Sequence, residues 1–276
     1  MIFPWLCSGL LLVSSSAGAM EATTCDCQPT KGYLVTRLWD IVGNLTDQDV
    51  IDEFNNGFAP LVTHMVGFQR YMAATTGNSS TVFFMNQFDT AEHAKAAQEG
   101  AKDFVKNGIL DGAIAPNQFT QDELVFHFDL RDCVTSDSTG SFMSARLYNL
   151  SDENTTPESM YQTGLSMYNQ TLRNIDGFVS YSGALSSPAY EQLFVYNIWE
   201  TQENADEATA AVRAYAAANP NPNPNIRVVF TSGFIQFDYL CAAGKRVASA
   251  NNIYSIANAV AILVLGTLSS IWSVAL

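Results

Sequence analysis

The feature that most constrains the fold is an internal repeat, in which segments of the first half of the chain recur in the second half. Four pairs of similar segments keep the same order along the chain: 37–40 with 146–149, 67–71 with 177–181, 86–90 with 197–201, and 128–129 with 237–238. The spacing between partners is nearly constant. The first and last pairs have equal spacing, and the second and third pairs exceed it by one residue and by two residues. A collinear series of this kind predicts a tandem duplication, so the chain should fold as two copies of one unit.

Each copy predicts the element order β-α-β-β-α-β. In the first copy, alternation over 33–41 predicts a strand, and Thr46 with Asp49 three residues later predicts the start of a helix that Gly57 and Pro60 interrupt. The second copy has a matching helix start, with Pro157 directly after Thr156. The remaining predicted elements are strands at 68–75, 81–88 and 123–130, and helices at 90–106 and 205–218.

This organisation resembles a known superfamily. A split β-α-β pair is the ferredoxin-like unit, and two such units in one chain could join their sheets as a homodimer does. At 86–104 and at 197–217, a strand ends in an aromatic residue and is followed by an acid, Thr and an Ala-rich helix. This pattern is similar to the dimeric α+β barrel superfamily, which includes antibiotic-biosynthesis-monooxygenase-like and haem-degrading proteins. The predicted fold is therefore α+β: two ferredoxin-like βαββαβ repeats, 31–133 and 141–241, fused into a pseudo-dimeric barrel that could be monomeric.

Charge is confined to the middle of the chain. All 13 basic and 27 acidic residues lie between Glu21 and Arg246, and the net charge is −14. An acidic body without a Lys/Arg cluster argues against nucleic acid as a partner. The apolar segment 1–19, which ends in small residues, predicts a signal peptide. The uncharged tail 253–276 follows a linker, 242–252, with small residues around Ser249, and this predicts a lipid anchor at Ser249 or a retained membrane span.

Cysteines and glycosylation sequons fit the same secretory interpretation. Four cysteines follow the predicted signal peptide, and in an oxidising compartment they imply two disulfides: Cys25, Cys27, Cys133 and Cys241. Because first and last strands are neighbours in the resembled fold, the N-terminal segment 20–30 is predicted to connect one cysteine to each copy. Five acceptor triplets predict glycans at Asn44, Asn78, Asn149, Asn154 and Asn169.

Two arginines give the best candidates for a binding site. Alternation places Arg37 with Trp39, and Arg146 with Tyr148, on one face of the first strand of each copy. An arginine beside an aromatic ring suits a small planar or anionic ligand. His127, in the middle of the last strand of the first copy, is either a buried structural histidine or a donor to the same ligand.

An alternative for the arginines is purely structural. Asp129 and Asp238 lie on the last strand of each copy, beside the first strand in the resembled fold. Each could form a cross-strand ion pair with the arginine of its own copy. His93, near the start of a helix, is predicted to be exposed.

The resemblance also allows a test for haem. Haem-degrading members use a strand Asn, a Trp and, as iron ligand, a helix His. Here the matching strand positions are Arg37 and Arg146, and the helix position ten residues after Trp199 is Thr209, with Gln98 as its counterpart in the first copy. No histidine pair has the spacing of metal ligands. The sequence therefore predicts neither a cofactor nor a metal.

Three functions remain open from the sequence. The first is a secreted, membrane-anchored glycoprotein ectodomain at the cell surface, which binds a small ligand or a surface partner without catalysis. The second is a cofactor-independent or haem-linked monooxygenase-like enzyme, since such enzymes need little beyond a shaped pocket. The third is a structural surface protein. An open pocket containing Arg37, Trp39 and His127 would favour ligand binding or catalysis.

Overall fold

The computed structural model describes residues 32–77, 79–129, 138–150, 155–186, 190–218 and 226–241. Several sequence predictions lie outside these ranges: the signal peptide 1–19, the segment 20–30, the linker 242–252, the tail 253–276, Cys25, Cys27, Cys133, Asn78, Asn154 and Ser249. Cys241 is disulfide-bonded, and its partner also lies outside the described residues. The pairing of the cysteines therefore stays a prediction.

The first half of the chain follows the predicted order of elements. Its elements are β1 (Tyr33–Ile41), α1 (Asp47–Glu53), a π-helical turn (Phe54–Phe58), α2 (Ala59–Val62), β2 (Phe68–Thr75), β3 (Thr81–Phe88), α3 (Ala91–Asn107) and β4 (Ile114–Asp129). The first helix begins with the predicted capping box, in which the backbone N–H of Asp49 donates to Thr46 Oγ1 (3.1 Å) and that of Thr46 to Asp49 Oδ2 (2.8 Å). Gly57 lies in the π-helical turn, so the predicted interruption is a widening of the helix.

The second half has the same order. Its elements are β5 (Phe142–Asn149), α4 (Pro157–Gln170), a 3₁₀ turn (Leu172–Asn174), β6 (Phe178–Ser186), β7 (Gln192–Trp199), α5 (Gln202–Ala218) and β8 (Ile226–Leu240). Thr156 caps α4 through the backbone N–H of Ser159 (3.1 Å), with Pro157 in the first turn. The two helix starts are therefore built in the same way, although their sequences differ.

The eight strands form one closed antiparallel barrel in the order β1-β3-β2-β8-β5-β7-β6-β4. The two halves meet where β2 pairs with β8 and where β4 pairs with β6. Closure leaves no strand edge of this barrel without a partner, which removes the usual route to edge-to-edge aggregation. The α+β class and the barrel are thus confirmed.

Strand alternation gives the barrel two kinds of surface. One set of side chains fills the lumen, and the other faces the helices that cover each half from outside. The lumen core comes from both halves: Leu34, Met72, Phe83, Met85, Met143, Leu147, Phe194 and Tyr196 are among its members. The helix-side core of the first half includes Val35 and Phe84, and that of the second half includes Val195 and Trp199. A site on a β-strand of this protein is therefore either lumenal or helix-side.

Candidate functional site

Arg37 and Trp39 lie on the helix side of the first half. The guanidinium of Arg37 is buried (residue exposure 7%) near the phenol of Tyr71, and burial lowers the pKa of Arg37 to about 10. Burial raises the pKa of the Tyr71 phenol well above its usual value, with the charge of Arg37 acting in the opposite direction. Asn86, the cross-strand partner of Tyr71, is fully buried. We call Arg37, Trp39, Tyr71 and Asn86 the first-half cluster.

The first-half cluster is covered by aromatic side chains. The ring centroid of Phe58 lies 5.7 Å from that of Tyr71 in an edge-to-face contact, and that of Phe54 lies 4.3 Å from that of Phe84. Tyr239 Oη donates to Asn55 Oδ1 in the π-helical turn (2.7 Å). The polar groups of this cluster are therefore enclosed in a packed core.

Arg146 and Tyr148 lie on the helix side of the second half, in the corresponding arrangement. Each residue of the first-half cluster has a repeat counterpart here, both in sequence and in strand pairing. We call these counterparts the second-half cluster: Arg146, Tyr148, Tyr181 and Asn197. Arg146 Nη2 donates to Thr209 Oγ1 on α5 (3.4 Å). Burial raises the pKa of the Tyr181 phenol, as do the neighbouring phenols of Tyr148 and Tyr215, while Arg146 opposes the shift.

The two clusters differ in exposure. In the second-half cluster Arg146 and Tyr148 are half-buried, whereas Arg37, Tyr71 and Asn86 are at most 7% exposed. Both clusters contain buried polar atoms without a hydrogen-bond partner among the described residues: Tyr71 Oη and both amide atoms of Asn86 in the first, and Asn197 Oδ1 in the second. Buried polar atoms are satisfied in the great majority of folded proteins, so these atoms are candidates for contact with a ligand.

His127 is separate from both clusters because it lies on the lumen side. Its Nδ1 forms a hydrogen bond with Ser182 Oγ (2.7 Å) across the β4–β6 pair. Burial, and secondly the positive charge of Arg70, lower the pKa of His127 to about 4. The sequence thus predicts one site from residues that the structure distributes over two outer faces and the lumen.

The predicted cross-strand pair between Arg146 and Asp238 is wrong. Asp238 instead accepts from Arg70 Nε (2.8 Å) and Nη2 (2.6 Å), and both side chains are buried. The reason is strand register: Arg146 on β5 lies opposite Phe230, whereas Asp238 lies beyond the part of β8 that pairs with β5 and faces Met72 on β2. The side chain of Asp129, the other predicted acid, lies outside the described residues.

A small cavity opens into the lumen, with a volume of about 20 Å³, which is room for about one water molecule. Of the predicted site residues, Arg146 lines this cavity together with Thr36, Leu38, Phe83, Thr120 and Phe194, but Arg37, Trp39 and His127 do not. The predicted pocket around those three residues is therefore not the cavity found here.

Asp122, next to this cavity, is a residue that sequence reasoning missed. It is 1% exposed, and burial raises the pKa of its carboxyl to about 7, although a hydrogen bond from the Thr120 side chain acts in the opposite direction. Thr120 in turn shares a hydrogen bond with Thr36 (Oγ1–Oγ1 2.7 Å). The period-two series Thr120, Asp122, Leu124 could have revealed an acid on the buried face.

Haem iron finds no suitable ligand at the expected helix positions. Gln98 and Thr209 occupy them, and Thr209 Oγ1 also donates to the backbone carbonyl of Ala205 (2.9 Å). The remaining histidines are used elsewhere: His93 Nδ1 contacts Asp89 Oδ1 (2.6 Å) at the partly exposed start of α3, and His64 Nδ1 contacts the Pro60 carbonyl (2.7 Å). Within the described ranges, no group of three or more His, Cys, Asp or Glu side chains could hold a metal ion.

Solved structures share this fold at low sequence identity. A protein of Lactobacillus acidophilus, provisionally assigned as a monooxygenase, superposes with a TM-score of 0.56 at 10% identity, over 78% of this chain and 98% of its own. A provisionally assigned chlorite dismutase gives 0.54 at 9% identity over 75% and 95%. An anthrone oxidase-like protein gives 0.51 at 12% identity over 81% and 98%. The chain thus has the fold of the dimeric α+β barrel superfamily, as its sequence resemblance implies. No protein-family model and no curated protein sequence matches the chain.

These structures correct the predicted function. A non-catalytic, membrane-anchored glycoprotein ectodomain at the cell surface is contradicted, because the three structures named above are assigned as a monooxygenase, a chlorite dismutase and an anthrone oxidase-like protein. The monooxygenase-like alternative agrees better with them. Among the helices of the described residues, none is both long and apolar enough to cross a membrane. The expectation of no cofactor is contradicted as well, since one of these proteins is assigned as a chlorite dismutase and the resembled superfamily includes haem-degrading proteins.

The predicted glycan acceptors gain no support from these neighbours. Asn44 is exposed after β1, but Asn149 Oδ1 accepts from Gln192 Nε2 (3.1 Å) and Asn169 Oδ1 accepts from Arg173 Nη1 (3.0 Å). Both of these hydrogen bonds use the side-chain oxygen and not the amide nitrogen that would carry a glycan.

Proposed function

We propose that the protein is an oxygen-dependent, monooxygenase-like oxidoreductase that acts on a small planar, mostly apolar substrate bound at the second-half cluster. The observation that carries this proposal is that the charge of half-buried Arg146 and the phenols of Tyr148 and Tyr215 all act on the buried phenol of Tyr181. A cation beside aromatic rings suits a flat ligand with an oxygen that becomes negatively charged.

The neighbouring polar atoms fit such a ligand. Asn197 Oδ1 is a buried acceptor without a hydrogen-bond partner among the described residues, and it would accept from a substrate hydroxyl. Arg146 would stabilise the enolate or phenolate form, because a fixed charge acts strongly where water is largely excluded. The first-half cluster has Trp39 in place of Tyr148, and its Arg37, Tyr71 and Asn86 are enclosed, so we assign substrate binding to the second half.

The reaction can be written for a methylene group activated by a neighbouring carbonyl. The substrate loses a proton to give an electron-rich carbanion or enolate, which reacts with O₂. One oxygen atom becomes the new carbonyl oxygen and the other leaves as water, with the two electrons for its reduction coming from the substrate C–H bonds. Arg146 holds the anion in this scheme. The proposal takes support from the anthrone oxidase-like and monooxygenase-like neighbours, whose fold this chain shares.

The test uses anthrone, a tricyclic ketone with an acidic methylene, as the probe. Purified protein should accelerate O₂ uptake and anthraquinone formation above the autoxidation seen with heat-denatured protein. Arg146→Gln should reduce the rate about 10- to 100-fold, as expected for the loss of a hydrogen bond or ion contact with a charged group.

The matched control is the same substitution in the enclosed cluster. Arg37→Gln should lower thermal stability but leave the rate per folded molecule within about two-fold, since that site is packed. The assay is repeated with added haem while the Soret band is recorded, so that haem-linked activity is detected. No rate above background with or without haem would contradict the function, and equal rate losses in both variants would contradict the choice of site.

The same proposal includes an origin by tandem duplication of a ferredoxin-like unit, with repeats at 31–133 and 141–241. Support comes from the strand orders β4-β1-β3-β2 and β8-β5-β7-β6, which are the same in both halves. It also comes from Gly67 and Gly177, which precede β2 and β6 with φ of 75° and 70°, a region that favours glycine. Since one chain closes the barrel, light scattering should give a monomer mass.

A further inference from the structure

The helices that cover the second half are less deeply packed than those of the first half. All residues of α4 and α5 are described, and the buried ones are Gly164 in α4 and Ala205 and Ala208 in α5. In the first half, α1, the π-helical turn and α2 bury a larger and more apolar set: Val50, Ile51, Phe54, Phe58, Ala59 and Val62. Local opening costs less where few apolar contacts are buried, so the second half should have the looser cover.

The seam between the covering helices of the first half is closed by aromatic packing. Near the end of α3, the ring centroid of Phe104 lies 5.5 Å from that of Phe54 and 5.7 Å from that of Phe58. A Cβ atom added at Gly57 would lie only 2.6 Å from the ring of Phe104, so the π-helical turn and the ring are in close contact. This seam is apolar and tight.

The corresponding seam of the second half is polar. The repeat counterpart of Phe104 is Tyr215, near the end of α5, and its Oη shares a hydrogen bond with Ser166 Oγ on α4 (3.0 Å). Both side chains are half-buried. Because water can replace such a hydrogen bond, its net contribution is about 0.5–1.5 kcal/mol. The two helices are therefore joined here by a weak and replaceable contact.

Tyr215 also lies close to the second-half cluster. Burial raises the pKa of the Tyr181 phenol, and the phenols of Tyr148 and Tyr215 raise it further, which requires them to be near it. From the same helix, Thr209 Oγ1 accepts from Arg146 Nη2 at 3.4 Å, which is long for a hydrogen bond. The helix α5 thus covers the cluster without a strong polar contact to it at Arg146.

We propose that the seam between α4 and α5 is the entrance to the second-half cluster, and that Tyr215 is the specificity-determining residue that closes it through Ser166. This inference rests on the proposed function, since it describes how a ligand reaches the site proposed there. A gap between two separating helices is long and narrow, so it admits a flat ring system edge-on and excludes a bulky one. Re-formation of the Tyr215–Ser166 hydrogen bond then shields Arg146 from water.

The first test needs no ligand. Hydrogen–deuterium exchange of the full chain is followed by mass spectrometry, and α5 should exchange faster than its counterpart α3, which has the same length of 17 residues. Tyr215→Phe keeps the ring but removes the hydrogen bond, so it should raise exchange in α4 and α5 and leave α3 unchanged. Equal protection of α3 and α5, or unchanged exchange in Tyr215→Phe, would overturn the proposal.

The second test measures entry directly with an anthraquinone sulfonate, a planar anion, by stopped-flow quenching of tryptophan fluorescence. Tyr215→Phe and Ser166→Ala should each raise the association and dissociation rate constants by the same factor, about 3- to 10-fold, because losing this hydrogen bond makes opening easier. The affinity should therefore stay nearly constant. Thr163→Val is the matched control, since exposed Thr163 donates within α4 to the Ser159 carbonyl (2.9 Å), and it should change neither rate constant by more than about two-fold.

The outcomes separate the entrance from the site. Rate constants that Tyr215→Phe leaves unchanged, or that Thr163→Val changes equally, would overturn the entrance while the site stands. Arg146→Gln should weaken the affinity for the probe, and binding that is absent or independent of Arg146 would contradict the site and, with it, the entrance. A protein that binds the probe through Arg146 but does not oxidise anthrone would contradict only the proposed reaction.

Discussion

Replacing Asp122 by Asn should change how the stability of the protein depends on pH. In the folded protein the carboxyl has a pKa of about 7, whereas its ordinary value is 3.8, and burial is the main cause. Between about pH 4 and pH 7 the unfolded chain has released this proton while the folded protein retains it. Stability contributed by this group therefore falls as pH rises through that window and levels off above about pH 7.

The magnitude follows from the two pKa values. Each tenfold change in proton affinity corresponds to about 1.4 kcal/mol, so ionising buried Asp122 costs the folded protein up to about 4 kcal/mol between pH 4 and pH 8. Asn cannot ionise and nearly preserves the shape. The stability of Asp122→Asn relative to the wild type should therefore improve by up to this amount as pH rises.

Urea unfolding at pH 4, 6 and 8, followed by tryptophan fluorescence, measures this difference. Asp111→Asn serves as the control because Asp111 is exposed, and its difference from the wild type should be the same at all three pH values. If the stability of Asp122→Asn also differed from that of the wild type by the same amount at all three pH values, within about 0.5 kcal/mol, the reasoning that burial raises the pKa of this carboxyl would be refuted.

Three further substitutions test the packing of the sites by thermal or urea unfolding. The wild type should lose stability as pH falls from about 6.5 towards 4, because the folded protein keeps His127 neutral with a pKa of about 4 while the unfolded chain takes up a proton. His127→Gln should remove this loss, and the same dependence of stability on pH in both proteins below about pH 6.5 would contradict the reasoning. Tyr71→Phe should be neutral or slightly stabilising, since its buried hydroxyl has no hydrogen-bond partner among the described residues, and a loss above about 1 kcal/mol would show that the hydroxyl is engaged. Arg70→Met should cost about 3–5 kcal/mol by leaving Asp238 buried alone, and adding Asp238→Leu should recover most of it; no recovery would mean that the arginine acts through packing.

Short-range patterns predict the strands of the first half well. Alternation and turn residues predict β1, β2 and β3 with the bounds that the structure shows. The strand β4 is predicted from 123 but starts at Ile114, and the added part contains Pro116, a residue that is uncommon inside strands. Pro116 is accommodated opposite a bulge between Leu38 and Trp39, where a missing N–H is tolerated.

The grouping of the site residues could not be predicted in the same way. Alternation correctly places Arg37 with Trp39 and Arg146 with Tyr148, but which face of a strand is lumenal depends on how the barrel closes. The register between strands decides which residues meet, so that Asp238 contacts Arg70 on β2 while Arg146 lies opposite Phe230. Asp122 was missed because an acid in a polar segment is usually exposed, and its alternation with Leu124 gained meaning once the pairing of β4 with β1 showed which face is buried.

The most direct test of the central claim is the fate of molecular oxygen. Anthrone is incubated with the protein under ¹⁸O₂, and the anthraquinone is analysed by mass spectrometry after subtraction of the autoxidation background. We expect one ¹⁸O atom in the product formed by the wild type, and about 10- to 100-fold less labelled product in the same time with Arg146→Gln. Labelled product at the background level for the wild type, with or without haem, would contradict the assignment as a monooxygenase-like enzyme.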